Sequence, residues 1–421
     1  MLRRFSLYGF LKNQQYYEPF LILAFREKGL SFFMIGILIA FREIAVNVFE
    51  VPSGAVADVW GRRRSMILSF AAYIVSFLVF GLASNMPLLF VAMLFFAVGE
   101  AFRTGTHKAM IFTWLRMHGR EKERTRVYGY TRSWSKIGSA LSVVLAAVFV
   151  FVSRDYVSIF YFSVIPYLLG IINFLGYPAA LDGERHAGTS FACVAAHLRE
   201  SLSVSFRKPS LRRLIFESMG FEGVFKAAKD YLQPILKSAA LPLTAALLLT
   251  EGLQDQQKTA LLVGPVYCVL YILSAVASRN AHRLVDRHGH EDRTARFLWA
   301  VNLLVFAGLL PAMWFRVYPL MIAGFLCLFV LQNLWRPVLI SRFDAHSNEA
   351  QGATILSIES QAKSVSTMLC APLLGYAVDF FSTRQAVAYW PVAVIGVVMA
   401  LAFLVTSRVG VQPRTQSPDA A

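Results

Sequence analysis

Apolar residues run through this chain in stretches of about 20, separated by short polar breaks. A stretch of that length crosses a bilayer core of roughly 30 Å as a single helix. Twelve stretches qualify: 6–25, 32–56, 65–83, 87–112, 128–152, 157–178, 214–236, 258–280, 294–314, 318–340, 353–378 and 386–407. The first and seventh are the least apolar. The breaks alternate in character. Those at Arg62–Arg64, Arg116–Arg126, Arg185–Arg213 and Arg279–Arg296 are basic, whereas those at Ser84–Pro87, Ser153–Asp155, Arg316–Val317 and Ser382–Arg384 are short and nearly neutral. Lys and Arg collect on the cytoplasmic side of membrane proteins. The pattern therefore predicts an all-α polytopic protein of the plasma (inner) membrane with both termini cytoplasmic.

One break is long. It divides the chain into a six-helix half at 1–178, a linker at 179–213, a second six-helix half at 214–407 and a tail at 408–421. In the linker, Phe191, Val194, Ala195, Leu198, Leu202 and Phe206 recur at helical spacing among Arg199, Glu200 and Arg207. That spacing predicts an amphipathic helix on the inner membrane surface. The Pro-, Gln- and Ser-rich tail reads as disordered.

Composition agrees with this picture. Hydrophobic residues make up 57% and charged residues 16%, against about a quarter charged in soluble domains. A net charge of +16 would suit nucleic acid, but its place in one set of loops makes it a topology signal and a match for anionic lipid. The partners expected are the lipid bilayer, a small-molecule solute and a coupling ion, with no nucleic acid and no second copy. Cys193, Cys268, Cys327 and Cys370 are scattered and read as small buried residues. Neither a metal nor another cofactor is expected. Arg3 and Arg4 precede no small-residue cleavage site, so the first span is expected to stay as an anchor.

The two halves repeat each other. "FLKNQQYYEPFLIL" aligns with "VFKAAKDYLQPILK", pairing Tyr16 with Tyr231 and Pro19 with Pro234. "VGEAFRTG" aligns with "LQNLWRPV", pairing Arg103 with Arg336 and Glu100 with Asn333. "RSWSK" aligns with "ESQAK", pairing Lys136 with Lys363 and Arg132 with Glu359. Asp58-Val59-Trp60-Gly61 has an echo in Asp286-Arg287-His288-Gly289. The pairs fall in the same order at a nearly constant offset. Duplicated halves are a transporter design.

With the loop Gly54-x-x-x-Asp58-x-x-Gly61-Arg62-Arg63-Arg64 after the second span, the chain resembles the major facilitator superfamily of secondary transporters. The resemblance implies twelve transmembrane helices in two pseudo-symmetric halves, with spans 1, 4, 7 and 10 innermost. It also implies that Asp58 latches its loop to span 11 and holds the outward-facing state. Gly54, Asp58, Gly61, Arg62, Arg63, Asp286 and Gly289 form the expected gating motif. Two departures stand out. Phe95, before Gly99, occupies the place of an arginine that many members carry, and "IGSALSVV" around Gly138 lacks the Gly-Pro of many drug–proton antiporters.

Charged residues inside spans carry the candidate chemistry. Each costs about 2.5–3.5 kcal/mol near a helix centre, so charges retained there usually face a cavity. Glu100, Arg103 and His107 share one helix face by spacing, as do Arg132 with Lys136 and Glu359 with Lys363. Glu222, Lys226, Lys229 and Asp230 form a further stripe. Spans 3, 6, 9 and 12 are almost free of charge and suit lipid. The substrate and coupling candidates are Glu18, Glu100, Arg103, His107, Arg132, Lys136, Glu222, Lys226, Asp230, Arg336, Glu359 and Lys363. The aromatics Tyr16, Tyr17, Trp134 and Trp335 are expected beside them. A slight excess of basic residues leans towards an anionic or zwitterionic substrate. No Gly-x-x-x-x-Gly-Lys-Ser/Thr phosphate loop occurs, so a gradient, most simply of protons, must drive transport. The alternatives are an efflux antiporter for drugs, siderophores or metabolites, and a non-transporting sensor on the same fold. No nucleophile or metal constellation supports an enzyme.

Overall fold

The computed structural model describes residues 1–103, 106–182, 209–246, 252–344, 352–383 and 386–407. The side chains of 51, 52, 54, 55, 58, 59, 121, 124, 125, 243–246 and 352–357 lie outside that description. The expected amphipathic helix of the linker, residues 191–207, and the tail, residues 408–421, also fall outside it.

The described chain is helical, and each expected span has its helix. Span 2 is Phe32–Trp60, span 3 Arg62–Leu82, span 5 Arg124–Ser153 and span 6 Ser158–Leu175. Span 8 is Asp255–His288, span 9 Glu291–Trp314, span 10 Tyr318–Asp344, span 11 Gly352–Phe381 and span 12 Trp390–Ser407. Span 4 is described as Met86–Arg103 and Thr106–Met117. Among the described residues, nine helices are individually long and apolar enough to cross a membrane, and Trp390–Thr406 is a shorter apolar helix.

Spans 1 and 7 cross as broken helices. Span 1 runs Leu2–Leu11, leaves helical geometry, and resumes through a 3₁₀ turn at Glu18–Phe20 into Leu21–Glu27. Span 7 runs Pro209–Ser218, a π turn at Met219–Gly223, Val224–Ala228, a 3₁₀ turn at Lys229–Tyr231, then Leu232–Ala246. Backbone groups freed by such breaks need new partners. At the break in span 1, a side chain of span 7 supplies them. Gln233 accepts from the Ile22 amide at 2.8 Å and donates to the Glu18 carbonyl at 2.8 Å. Unwound backbone of this kind belongs at protein-lined sites rather than against lipid.

The halves meet most tightly at the end away from the basic loops. Spans 2 and 11 touch backbone to backbone there. A Cβ at Gly36 would lie 2.5 Å from the Ala371 carbonyl oxygen, and one at Gly375 would collide with the Phe32 carbonyl. Small residues permit this close approach. Asp379 of span 11 caps the N-terminus of span 2, accepting from the Phe32 amide at 3.1 Å and the Phe33 amide at 2.7 Å. It satisfies two otherwise unpaired donors and sits at the positive end of the helix dipole. Nearby, Gln256 of span 8 donates to Glu27 at 3.1 Å, and Glu27 accepts from the Tyr156 amide at 2.7 Å.

The loop at the opposite, basic end holds a different contact. Gly61 has φ +98°, a conformation that disfavours any side chain. A Cβ there would meet the Asp182 carboxyl. Asp182 accepts from the Arg63 amide at 2.7 Å, Arg63 donates to the Tyr177 carbonyl at 3.0 Å, and Arg62 donates to Thr113 at 2.9 Å. These bonds tie the loop to its own half. Gly289, the counterpart in the repeat, also has positive φ, +73°, and Asp286 is exposed in the last turn of span 8. The side chains of Gly54 and Asp58 lie outside the described residues.

Replacing Gly36 with Leu forces span 2 away from span 11 and opens the end away from the basic loops. Labelling of a cysteine placed at Ser238, in a cysteine-free background, by a membrane-impermeant maleimide is expected to rise several-fold. Asp379→Ala is expected to act in the same direction and to cost about 1 kcal/mol of stability through the lost cap. Unchanged labelling in both variants would contradict this account of the closure.

Candidate functional site

Glycines bring spans 1 and 5 together. A Cβ at Gly9 would lie 2.8 Å from the Thr131 carbonyl oxygen, and one at Gly138 would lie 2.5 Å from the Phe10 carbonyl oxygen. The Gln14 amide donates to the Gly138 carbonyl at 3.1 Å. This close crossing sets Lys12 of span 1 beside Arg132 and Lys136 of span 5. All three line a cavity of about 340 Å³ with Tyr8, Asn13, His107, Tyr128 and Ser135. Among the described residues, no carboxylate lines it. Among the described residues, Lys12, Arg132 and Lys136 take part in none of the ion pairs present.

A second cavity of about 450 Å³ adjoins the first at Lys136 and Ser139. Both halves line it, with Glu18 from span 1, Lys229 and Asp230 from span 7, Tyr267 and Tyr271 from span 8, and Asn333 from span 10. Apart from Lys136, its charges are paired. Lys229 lies 3.3 Å from Glu18 and 3.4 Å from Asp230, and the Tyr271 hydroxyl donates to Glu18 at 3.2 Å.

Further charge sits around these cavities. Lys226 crosses between halves to Glu43 of span 2 at 2.6 Å, and Glu43 also meets Arg42 at 2.9 Å. In the C-terminal half, Arg336 of span 10 joins Glu222 at 2.9 Å and Glu359 at 2.8 Å. Lys363 approaches the same two acids at 3.1 and 3.4 Å. The π turn carries Glu222 into this quartet, and Ser218 donates to Glu359 at 2.5 Å. One oxygen of each acid, Glu222 Oε1 and Glu359 Oε2, is buried with no hydrogen-bond donor.

The sequence candidates thus divide into three groups. Glu222, Arg336, Glu359 and Lys363 form the quartet. Glu18, Asp230 and Lys226 join the network between halves. Arg132 and Lys136 line the basic cavity. Arg103 sits over the Tyr73 ring at 6.0 Å, and its Nε is buried without an acceptor. Glu100 lies on the same helix as Arg103, whereas His107 belongs to the next helical piece. The His107 ring stacks on Tyr8 at 3.8 Å and its Nε2 meets the Tyr177 hydroxyl at 3.2 Å, so aromatic packing holds it.

The expected aromatic platform is elsewhere. Trp335 is fully buried and stacks on Phe221 at 4.2 Å within the C-terminal half. Tyr16 packs on Phe149, and Tyr17 on Phe77 and Phe96. Trp134 lines neither cavity and is 38% exposed. The rings that line the cavities are Phe5, Tyr8, His107, Tyr128, Phe225, Tyr267, Tyr271 and Phe329. They follow from the turn of each helix towards its neighbours, which apolar spans do not reveal by period. Lys12, Glu43 and Lys229 gain their importance from partners on other spans.

Comparison with known proteins places this geometry. The family model described as Major Facilitator Superfamily matches residues 13–358. A curated Bacillus subtilis (strain 168) relative, the uncharacterized MFS-type transporter YxaM, is 24% identical over 224 residues. That match covers 52% of this chain and 54% of the relative, so it spans about half the relative's length. Among solved structures, the nucleoside transporter NupG aligns with a TM-score of 0.78 at 11% identity, over 97% of this chain and 98% of that one. A D-xylose-proton symporter aligns with a TM-score of 0.67 at 15% identity, over 96% of each chain. At such identities these structures bear on the fold alone. The twelve-span fold and the family match across most of the length lead to one assignment: the chain belongs to the Major Facilitator Superfamily of membrane transporters.

Proposed function

We propose that this transporter moves a small anionic or zwitterionic solute by alternating access, coupled to protons. The observation that carries the reading is the cavity lined by Lys12, Arg132 and Lys136, none of which forms an ion pair with a carboxylate among the described residues. Uncompensated charge in a low-dielectric setting is costly. A solute anion supplies the missing partner.

Alternating access fits the contacts between the halves. Among the described residues, the hydrogen bonds and ion pairs that join the halves run from Asp379 and Glu27 inward to Glu43. Glu43 stands roughly 16 Å along span 2 from its capped end, at 1.5 Å per residue. In this reading the basic face is cytoplasmic, the far end is closed, and the cavities serve the cytoplasmic side. Rocking of one half against the other breaks the outer contacts and exchanges them for contacts at the basic end.

The quartet is the proposed coupling element. Two acids share two cations there, and each acid keeps one buried oxygen without a donor. When rocking draws Arg336 or Lys363 away, a proton can take over as the neutralising partner. D-xylose–proton symport is stated of one structural neighbour, which makes proton coupling a natural use of this fold, while substrate rests on the cavity alone.

Two outcomes test the proposal in proteoliposomes with an imposed pH gradient and a panel of organic anions. For any anion taken up, Lys136→Gln is expected to raise KM about tenfold or more, a loss near 1.4 kcal/mol. An unchanged KM would remove the basic cavity from recognition. Glu359→Gln is expected to abolish concentrative uptake yet keep counterflow exchange. Full uphill transport by both Glu359→Gln and Glu222→Gln would rule out the quartet as the coupling element.

A further inference from the structure

The basic cavity says more about the solute than its sign. Three basic side chains converge there, and the ion-paired groups around them balance among themselves. Glu18 and Asp230 lie against Lys229, Glu43 against Lys226 and Arg42, and Glu222 and Glu359 against Arg336 and Lys363. The excess therefore stays with Lys12, Arg132 and Lys136. A single negative charge would leave most of it uncompensated.

Donor chemistry points the same way. Lys12 and Lys136 each offer three N–H donors and Arg132 offers five. Asn13, Ser135 and Ser139 stand in the same wall. Such a surfeit of donors suits a head group with several strong acceptor oxygens. A phosphoryl group has three and carries about −1.5 to −2 at pH 7. A pair of neighbouring carboxylates has four. Arg132 and Lys136 are one turn apart on one helix face, roughly 5–6 Å between their Cβ atoms, so one compact group can bridge them.

The body of the solute has its own place. Beyond Lys136 and Ser139, the second cavity offers Phe225, Tyr267, Tyr271 and Phe329 as apolar walls. The two adjoining cavities, about 340 and 450 Å³, lie within the usual size range for small-molecule sites, about 300–1,000 Å³.

We propose that the transported solute carries a doubly negative head group, a phosphate monoester or a dicarboxylate, docked between Lys12, Arg132 and Lys136, with its uncharged body along Phe225, Tyr267, Tyr271 and Phe329. This rests on the anion reading above and narrows it.

The test uses the purified full-length protein and binding rather than transport, at constant ionic strength. Glycerol phosphate and succinate are the two dianion probes, acetate and lactate the monoanions, and choline the cation. At pH 7.5 at least one dianion is expected to bind ten times or more tightly than acetate. Its affinity should fall about tenfold in Arg132→Gln and in Lys136→Gln. Arg132→Lys, which keeps the charge, should retain more binding than Arg132→Gln. For glycerol phosphate the affinity should also fall towards pH 5.5, as the second ionisation near pH 6 is reversed. Preference for glycerol phosphate or for succinate decides between the two head groups. Monoanions that bind as tightly as dianions, and lose affinity in the same variants, would overturn the double charge and leave the anion reading standing. Choline binding without anion binding, or no binding by any probe, would overturn both. Dianion binding unaffected in both glutamine variants would overturn the site.

Discussion

A charge held among transmembrane helices needs a partner, and that requirement organises this protein. On the C-terminal side it is met within the protein. Arg336 and Lys363 answer Glu222 and Glu359, and Arg342 answers Glu217 at 2.6 Å. Between the halves it is met by Lys226 with Glu43 and Lys229 with Glu18. On the N-terminal side Lys12, Arg132 and Lys136 find no acid in their cavity. The duplicated halves have thus diverged in charge. Where the repeat pairs Arg132 with Glu359, one copy keeps a basic group and the other an acid. The acid closes a quartet in its own half, and the base leaves a cavity open to a solute.

Backbone geometry makes this possible. Gly9 and Gly138 let spans 1 and 5 approach closely enough for their cations to share one cavity wall. The same device, Gly36 with Gly375, seals spans 2 and 11 at the other end. Spans 1 and 7 break near the cavities, and Gln233 of span 7 repairs the break in span 1 by bonding across to its backbone. The π turn at Met219–Gly223 adds the local rotation that aims Glu222 at Arg336. Such turns are rare in helices and recur at functional positions.

Much of this was legible from the chain alone. Apolar stretches located the spans, and Glu222, Arg336, Glu359 and Lys363 stood out as charges inside them, Glu359 and Lys363 on one helix face, without any sign that all four meet. Helical period gives the face a residue occupies but not the residue it meets on another span. For that reason neither the pairing of Glu43 with Lys226 nor the bridge from Lys229 to Glu18 and Asp230 could be read from the sequence. Aromatic placement failed for a related cause. Trp335 lies one residue from Arg336, yet adjacent helix positions point about 100° apart, which carries the indole into the core against Phe221. Asp379 and Asp182, which cap spans 2 and 3, gave no local signal, because each caps a helix distant in sequence.

The unpaired cations and the closure at the far end bear on one another. While the cavity communicates with water, solvation shares the cost of Lys12, Arg132 and Lys136. Closing the basic end would expel water and concentrate that cost. An empty carrier therefore resists closing on that side. A bound anion lowers the penalty only in proportion to the charge it brings, so the occupant of the cavity sets the ease of the next conformational step. In this account solute recognition and gating share one electrostatic problem, to which the charge of the cargo contributes.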